Sequence, residues 1–349
     1  MRLLTTTIGA YPKPRCVRIP DWFDPGAMDS SVATREYMVA IEKLGAEAEA
    51  IIAEGVRQVI EDQVACGIDI PTDGEVKREN YVHYHCRHLD GFDFEGLTHR
   101  VLRGGAYEAD LPTVRGAVKA RAPFLPDDWK LAQSFTDRPV KMTLPGPMTI
   151  ADTTADEYYG DAEALGRDLA VALNREILAL AEAGCRHIQI DEPLFARKPR
   201  EALAYGLDHV ARCWQDVPAG VAKVLHMCCG YPNRLDQEDY VKADPMAYFE
   251  LAEAVNASAV DAVSLEDAHR HNDLSLLDRF TDTTVIFGVI AIARSRVETV
   301  AEVRERLEAA LQHLPPERLI AAPDCGLGHL GRELAMQKLR VLSEVAKNI

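Results

Sequence analysis

Short apolar runs recur along the chain, and most are followed by a longer stretch in which apolar positions return every three or four residues. The short runs are 3–8 (LLTTTI), 67–72 (GIDIPT), 139–144 (PVKMTL), 187–190 (HIQI), 223–227 (KVLHM), 259–265 (AVDAVSL), 284–290 (TVIFGVI) and 318–323 (RLIAAP). Runs of this length bounded by turn residues read as buried strands. The helical period appears over 34–65, 161–183, 200–215, 245–256, 297–313 and 331–347, among Glu, Lys and Arg. GDAEAL and DPMAYF open two of these stretches with an Asp and a nearby acidic residue or Pro, as helix N-termini do, and Gly184 closes one after Ala183. Strand and helix alternating about eight times predict an α/β fold of the (β/α)8 TIM-barrel type. An open doubly wound sheet is the alternative, but no Gly-rich nucleotide loop follows the first strand.

Residues 76–138 break the rhythm, being too long for one crossover helix. Thr98 to Ala122 alternates around Gly104-Gly105, which predicts a β-hairpin. The segment reads as an insertion after strand 2 that covers the barrel mouth, and 10–33, rich in Pro and Asp, reads as a second covering loop. The chain is thus expected to be one domain over 1–349.

Composition narrows the classes. With 349 residues and 47% hydrophobic content, one large core would bury roughly 75% of the unfolded chain's surface. A net charge of −16 argues against nucleic acid or anionic membrane as partner, since phosphate binding needs clustered Lys and Arg. No apolar run reaches about 18 residues, so no spanning helix is expected, and the N-terminus does not resemble a secretory signal. Eight thinly spread cysteines are no disulfide framework, and a reducing cytoplasm is the expectation.

In a barrel of this type, functional residues sit just after the strands, at the C-terminal rim. Gly9 follows strand one; Asp73, Gly74 and Glu75 follow strand two; Asp191 and Glu192 follow strand four. His226 and Cys228 end strand five, Glu266 strand six, and Asp324 and Cys325 strand eight. Two residues apart on an extended segment, His226 and Cys228 share a face, whereas Cys229 points the other way. One His, two Cys and one Glu match the donors that zinc accepts. The alternative at this point is that both cysteines are small buried hydrophobes and His226 a hydrogen-bonded core residue. Zinc deprotonates a bound thiol outright, so a thiolate-rich site suits alkyl transfer to sulfur better than hydrolysis.

TTTIGAYPKP, DGEVKREN, LPGPMTI, QIDEP, HMCC, SLED and PDCGL, in this order from residue 5 to the C-terminus, resemble the catalytic C-terminal barrel of cobalamin-independent methionine synthase. The resemblance implies Zn2+ held by His226, Cys228, Glu266 and Cys325. It also implies that Ile8 and Gly9 (through their backbone), Glu75 and Asp191 meet the amino-acid end of homocysteine. The departures lie mostly on the donor side. Ala10 stands where the family has a Ser that touches the carboxylate, and Thr153 where it has a folate-stacking Trp. Arg197 stands for a folate-contacting Glu, and Ala291 and Ala293 for an Asp and a His thought to protonate the folate leaving group.

The expectation is therefore a zinc-dependent methyltransferase that makes methionine from homocysteine, with a donor other than methyltetrahydrofolate, a methylated corrinoid protein being one candidate. Alkyl transfer to another thiol such as coenzyme M, from an epoxide or methylcorrinoid, and a metal-free decarboxylase of the uroporphyrinogen type are the competing readings. Asp324, beside a zinc thiolate, and His269 are further candidates to support the site or meet substrate, while YVHYHCRH at 81–88 reads as a segment lining it.

Overall fold

The fold comes from a computed structural model that describes residues 2–23, 30–102 and 107–349. Its ten strands are β1 (Leu4–Thr5), β2 (Leu89–Leu102), β3 (Tyr107–Ala120), β4 (Lys141–Pro145) and β5 (Ala155–Asp156), then β6 (His187–Asp191), β7 (Ala222–Met227), β8 (Ala262–Leu265), β9 (Thr284–Ile290) and β10 (Leu319–Pro323). Seven of them form a parallel sheet in the order β1-β10-β9-β8-β7-β6-β4. The predicted second strand closes the ring, but only as two parallel bridges, Thr6 to Ile70 and Thr72 to Lys141. Pro71 between them has no N–H to give to a ladder. Its carbonyl still accepts from the Lys141 N–H at 2.9 Å.

Burial follows the parallel-barrel pattern. β4 and β8 are buried along their full length, because helices cover the outer face and side chains fill the inner one. One side of the barrel interior is apolar, with Ile8, Val224, Ala262, Ile286 and Ala322 packed together. The other is polar: the Gln189 amide reaches across to the Ile8 carbonyl at 2.8 Å, and Thr143 donates to Glu75 at 2.9 Å. That polar half lies beneath the carboxylates expected at the rim.

Two elements differ from the sequence reading. The helical stretch 34–65 is two helices, Ser30–Leu44 and Ala48–Ala65, joined by the tight turn Gly45–Glu47. Gly45 sits there at φ +52°, in the left-handed region that glycine enters without penalty. The hairpin starts earlier than Thr98: β2 and β3 pair antiparallel from Leu89–Ala120 to Leu102–Tyr107. The register shifts between Asp93 and Thr98, where the Asp93 carboxylate accepts from the Glu95 and Gly96 N–H groups at 2.9 and 3.0 Å, an alternative to ladder bonds that alternation does not reveal. Gly104 and Gly105 lie outside the described residues. β3 also pairs with β5, which fastens the hairpin to the loop after β4.

Candidate active site and metal centre

The strand ends deliver their side chains to one cavity. Ile8, Gly9, Glu75, Asp191, Arg197, His226, Cys228 and Cys325 all line it. At one wall, the ligand atoms of His226, Cys228 and Cys325 lie within 4.8 Å of one another. Tetrahedral zinc with Zn–S near 2.3 Å holds sulfurs about 3.8 Å apart, so a small inward adjustment converts this group into three ligands. His226 Nδ1 is 3.0 Å from the Ser264 hydroxyl and Nε2 is 3.3 Å from Cys325 Sγ. The serine thus fixes the ring with Nε2 towards the thiols, as outer partners of metal-bound histidines do. Hydrogen bonding with Cys325 and His226 outweighs burial and holds the Cys228 thiol well below the usual range, with Arg197 contributing positive charge. Hydrogen bonding with Cys228, together with burial, pushes Cys325 the other way. The donor set and its geometry fit zinc.

Glu266 is not brought into this group. Its carboxylate is paired with the Lys242 ammonium and accepts from the Cys229 N–H at 2.9 Å. A carboxylate that is 3% exposed needs such partners. Lys242, from the loop between β7 and the helix Ala247–Asn256, carried no sequence signal for this contact.

Two buried carboxylates line the same cavity. Glu75 sits at φ +57° in the turn Asp73-Gly74-Glu75, where the Asp73 carboxylate accepts from the Glu75 N–H at 3.1 Å. Thr143 (2.9 Å) and the buried Arg78 (3.3 Å) donate to its Oε1. Burial nevertheless raises its pKa from 4.5 to about 7, against the pull of Arg78. Asp191 accepts from Gln189 at 2.7 Å and is likewise raised by burial. Both lack a cation that fully offsets burial, as an ammonium ligand would. A Cβ on Gly9 would stand 2.7 Å from Glu75 Oε1, so glycine there lets the backbone approach the carboxylate. The Ile8 and Gly9 carbonyls already accept from Gln189 and Thr72, which fixes their direction.

Other expected residues serve the framework. Asp324 accepts from the N–H groups of Asp267, Ala268 and His269 at 2.9, 2.8 and 2.7 Å and so holds the loop after β8. His269 is not among the residues lining the cavity. Its Nε2 accepts from the Ile292 and Ala293 N–H groups at 3.0 and 3.2 Å, and burial pushes its pKa down to about 3. Glu192 accepts from Met148 N, Thr149 N and Thr149 Oγ1, capping the helix Pro147–Asp152 of the LPGPMTI motif on the neighbouring rim loop. In the 81–88 segment Tyr81, Val82 and His83 line the cavity, and both His83 nitrogens are engaged, by the Thr34 hydroxyl and the Thr153 carbonyl. Among the described residues, the one group of three metal-capable side chains is His226, Cys228 and Cys325.

Apart from Tyr81, in the segment read as lining the site, the sequence reading missed the aromatic wall. Trp22, Phe23, Tyr81 and Tyr231 line the cavity; Trp22 and Tyr231 are nearly parallel, with centroids 6.2 Å apart. The Tyr231 hydroxyl donates to the Gly326 carbonyl at 2.8 Å, beside Cys325. The HMCCGYP motif contains this tyrosine, but nothing in its spacing shows that the 10–33 loop brings Trp22 onto it.

The catalytic domain of cobalamin-independent synthases matches residues 3–348 of the chain. The chain belongs to this family. Methionine synthase from Saccharolobus solfataricus is 34% identical over 350 residues, covering 99% of this chain and 94% of the relative. The protein of that name from Sulfolobus acidocaldarius is 31% identical over 339 residues, covering 97% and 89%. Among solved structures, the B12-independent methionine synthase from Shewanella sp. W3-18-1, in complex with selenomethionine, superposes with a TM-score of 0.86 at 29% identity, over 99% of this chain and 97% of that one. A Listeria monocytogenes structure described as a putative vitamin-B12 independent methionine synthase, with a TM-score of 0.71 at 20% identity, shows the same fold. Like the other cobalamin-independent synthases, the chain is a methyltransferase. Among the described residues no helix is long and apolar enough to cross a membrane.

Proposed function

We propose that this chain methylates the thiol of homocysteine to give methionine, with zinc held by His226, Cys228 and Cys325 and completed by Glu266. One observation carries the reading: a nitrogen and two sulfurs converge within 4.8 Å on a wall of the cavity that Glu75 and Asp191 also line. Zinc, when bound there, would lower the pKa of a ligating thiol and keep its sulfur nucleophilic. The remaining work belongs to the chain. Glu75 and Asp191 take the substrate ammonium and so direct its thiol towards the cysteines. Thr143, Arg78 and Gln189 hold those carboxylates in place, which reduces the ordering left to be done on binding. For Glu266 to join the ligands it must leave Lys242, and a carboxylate with an alternative cation is one that an incoming thiol displaces readily.

The donor side carries Thr153, Arg197, Ala291 and Ala293 in place of the family's folate contacts, which supports a donor other than methyltetrahydrofolate; a methylated corrinoid protein or a small alkyl donor satisfies that. The experiment is metal content in purified protein and in Cys325→Ser. About one zinc per chain, lost in the variant together with methionine formation, is the expected result. Metal-free protein after metal-replete expression would overturn the reading.

A further inference from the structure

Two features of the cavity reach beyond the thiol chemistry. Arg197 ends the short helix Leu194–Arg197 after β6 and lines the cavity, and its Nε is buried with no hydrogen-bond partner. A guanidinium stays charged at any relevant pH, and a buried donor without an acceptor is costly, so this side chain is built for an anion, a carboxylate being the planar match to its fork. The second feature is the aromatic wall. Trp22 lies 5.5 Å from Tyr81 and 6.2 Å from Tyr231, centroid to centroid, and all three line the same cavity. Aromatic faces attract cations, and quaternary onium groups above all, because these are weakly hydrated.

We propose that the methyl donor is a small methylonium carboxylate, its carboxylate held by Arg197 and its cationic sulfur or nitrogen lodged against Trp22, Tyr81 and Tyr231. This rests on the reading of the chain as a thiol methyltransferase. The substrate thiol loses its proton to water before transfer. The thiolate sulfur then attacks the methyl carbon: a C–S bond forms, and the bond from that carbon to the onium atom breaks with its electron pair going to the sulfur or nitrogen. The leaving group departs as a neutral thioether or tertiary amine and takes up no proton. Glu75 and Asp191 stay committed to the ammonium of the thiol substrate, so the donor's positive charge falls to the rings.

The test uses the full chain loaded with zinc. Dimethylsulfonioacetate, trimethylammonioacetate, methyltetrahydrofolate and methylcobalamin are offered separately with homocysteine, and methionine is followed by NMR. Calorimetry separately measures binding of both onium compounds to the parent, Arg197→Gln, Arg197→Lys and Trp22→Ala, with thermal melts as a check on folding. We expect methionine from at least one onium compound, the sulfonium and ammonium arms showing which. Its binding should weaken at least tenfold in Arg197→Gln and Trp22→Ala and recover in part in Arg197→Lys. Absence of onium binding to the parent overturns the proposal, as does binding that neither variant weakens. Methionine formed solely from methyltetrahydrofolate or methylcobalamin overturns it while leaving the thiol reading intact. A zinc-loaded parent that fails to bind homocysteine overturns that underlying reading instead.

Discussion

Replacing Glu75 by Gln should make the protein more stable at neutral pH and nearly useless for binding its amino-acid substrate. Burial raises the Glu75 pKa from 4.5 to about 7. Below about pH 4.5 the carboxyl is protonated in both folded and unfolded chains, and its burial costs nothing through titration. Between the two values the unfolded chain ionises while the folded one keeps its proton. The unfolded state then binds fewer protons, so stability falls as pH rises. Above about 7 both states are ionised and the full penalty stands. At about 1.4 kcal/mol for each pKa unit, that penalty is about 3 kcal/mol.

The Glu75→Gln side chain mimics the protonated carboxyl, and its amide oxygen still accepts from Thr143 and Arg78. The stability difference, variant minus parent, should therefore grow by about 3 kcal/mol from about pH 4.5 to about pH 8. Other titrating groups are common to both proteins and largely cancel in this difference. Urea unfolding at half-unit pH steps measures it. Methionine binding to the parent, followed by calorimetry, should meanwhile strengthen as pH rises through about 7, because the ligand ammonium favours the ionised carboxylate; the variant should bind at least about tenfold more weakly. Parallel stability curves for the two proteins across this pH range would refute the account of Glu75 as a carboxylate kept short of a cation.

Asp324→Ala leaves three N–H groups of the loop after β8 without their acceptor, and at roughly one to three kcal/mol for each buried orphan, partly rehydrated, a loss of about 3 kcal/mol is expected in urea unfolding; an unchanged midpoint would contradict that role. Lys242→Met removes the cation that occupies Glu266, so zinc should bind about tenfold more tightly in a chelator competition, because the fourth ligand no longer has to break an ion pair; weaker binding would mean that Glu266 stays outside the metal sphere.

What the sequence reveals and what it hides divide along one physical line. The barrel is legible because its strands are short apolar runs, and pairing to neighbours on both sides fixes which residue ends each strand. Asp191, His226, Cys228 and Cys325 stand at or just beyond the ends of laddered strands, Glu75 in the turn after the bridged second one, and all reach the cavity. Residues carried by loops obey no such period. Lys242 reaches Glu266 across 24 positions, and Trp22 meets Tyr231 from a distant part of the chain. His269 turns to the loop after β9 rather than to the cavity because a backbone N–H pair there needs an acceptor. Even strand two fails as a ladder for a local reason, Pro71. The metal-capable wall of the cavity is thus written in strand ends, while Trp22, Tyr81, Tyr231 and Arg197 stand on loops and short helical turns. Loops change without disturbing the barrel. A family likeness carried by strand-end motifs therefore says more about residues at the strand ends than about those on the loops, and on the donor proposed above the charge at Arg197 is the place where the two part.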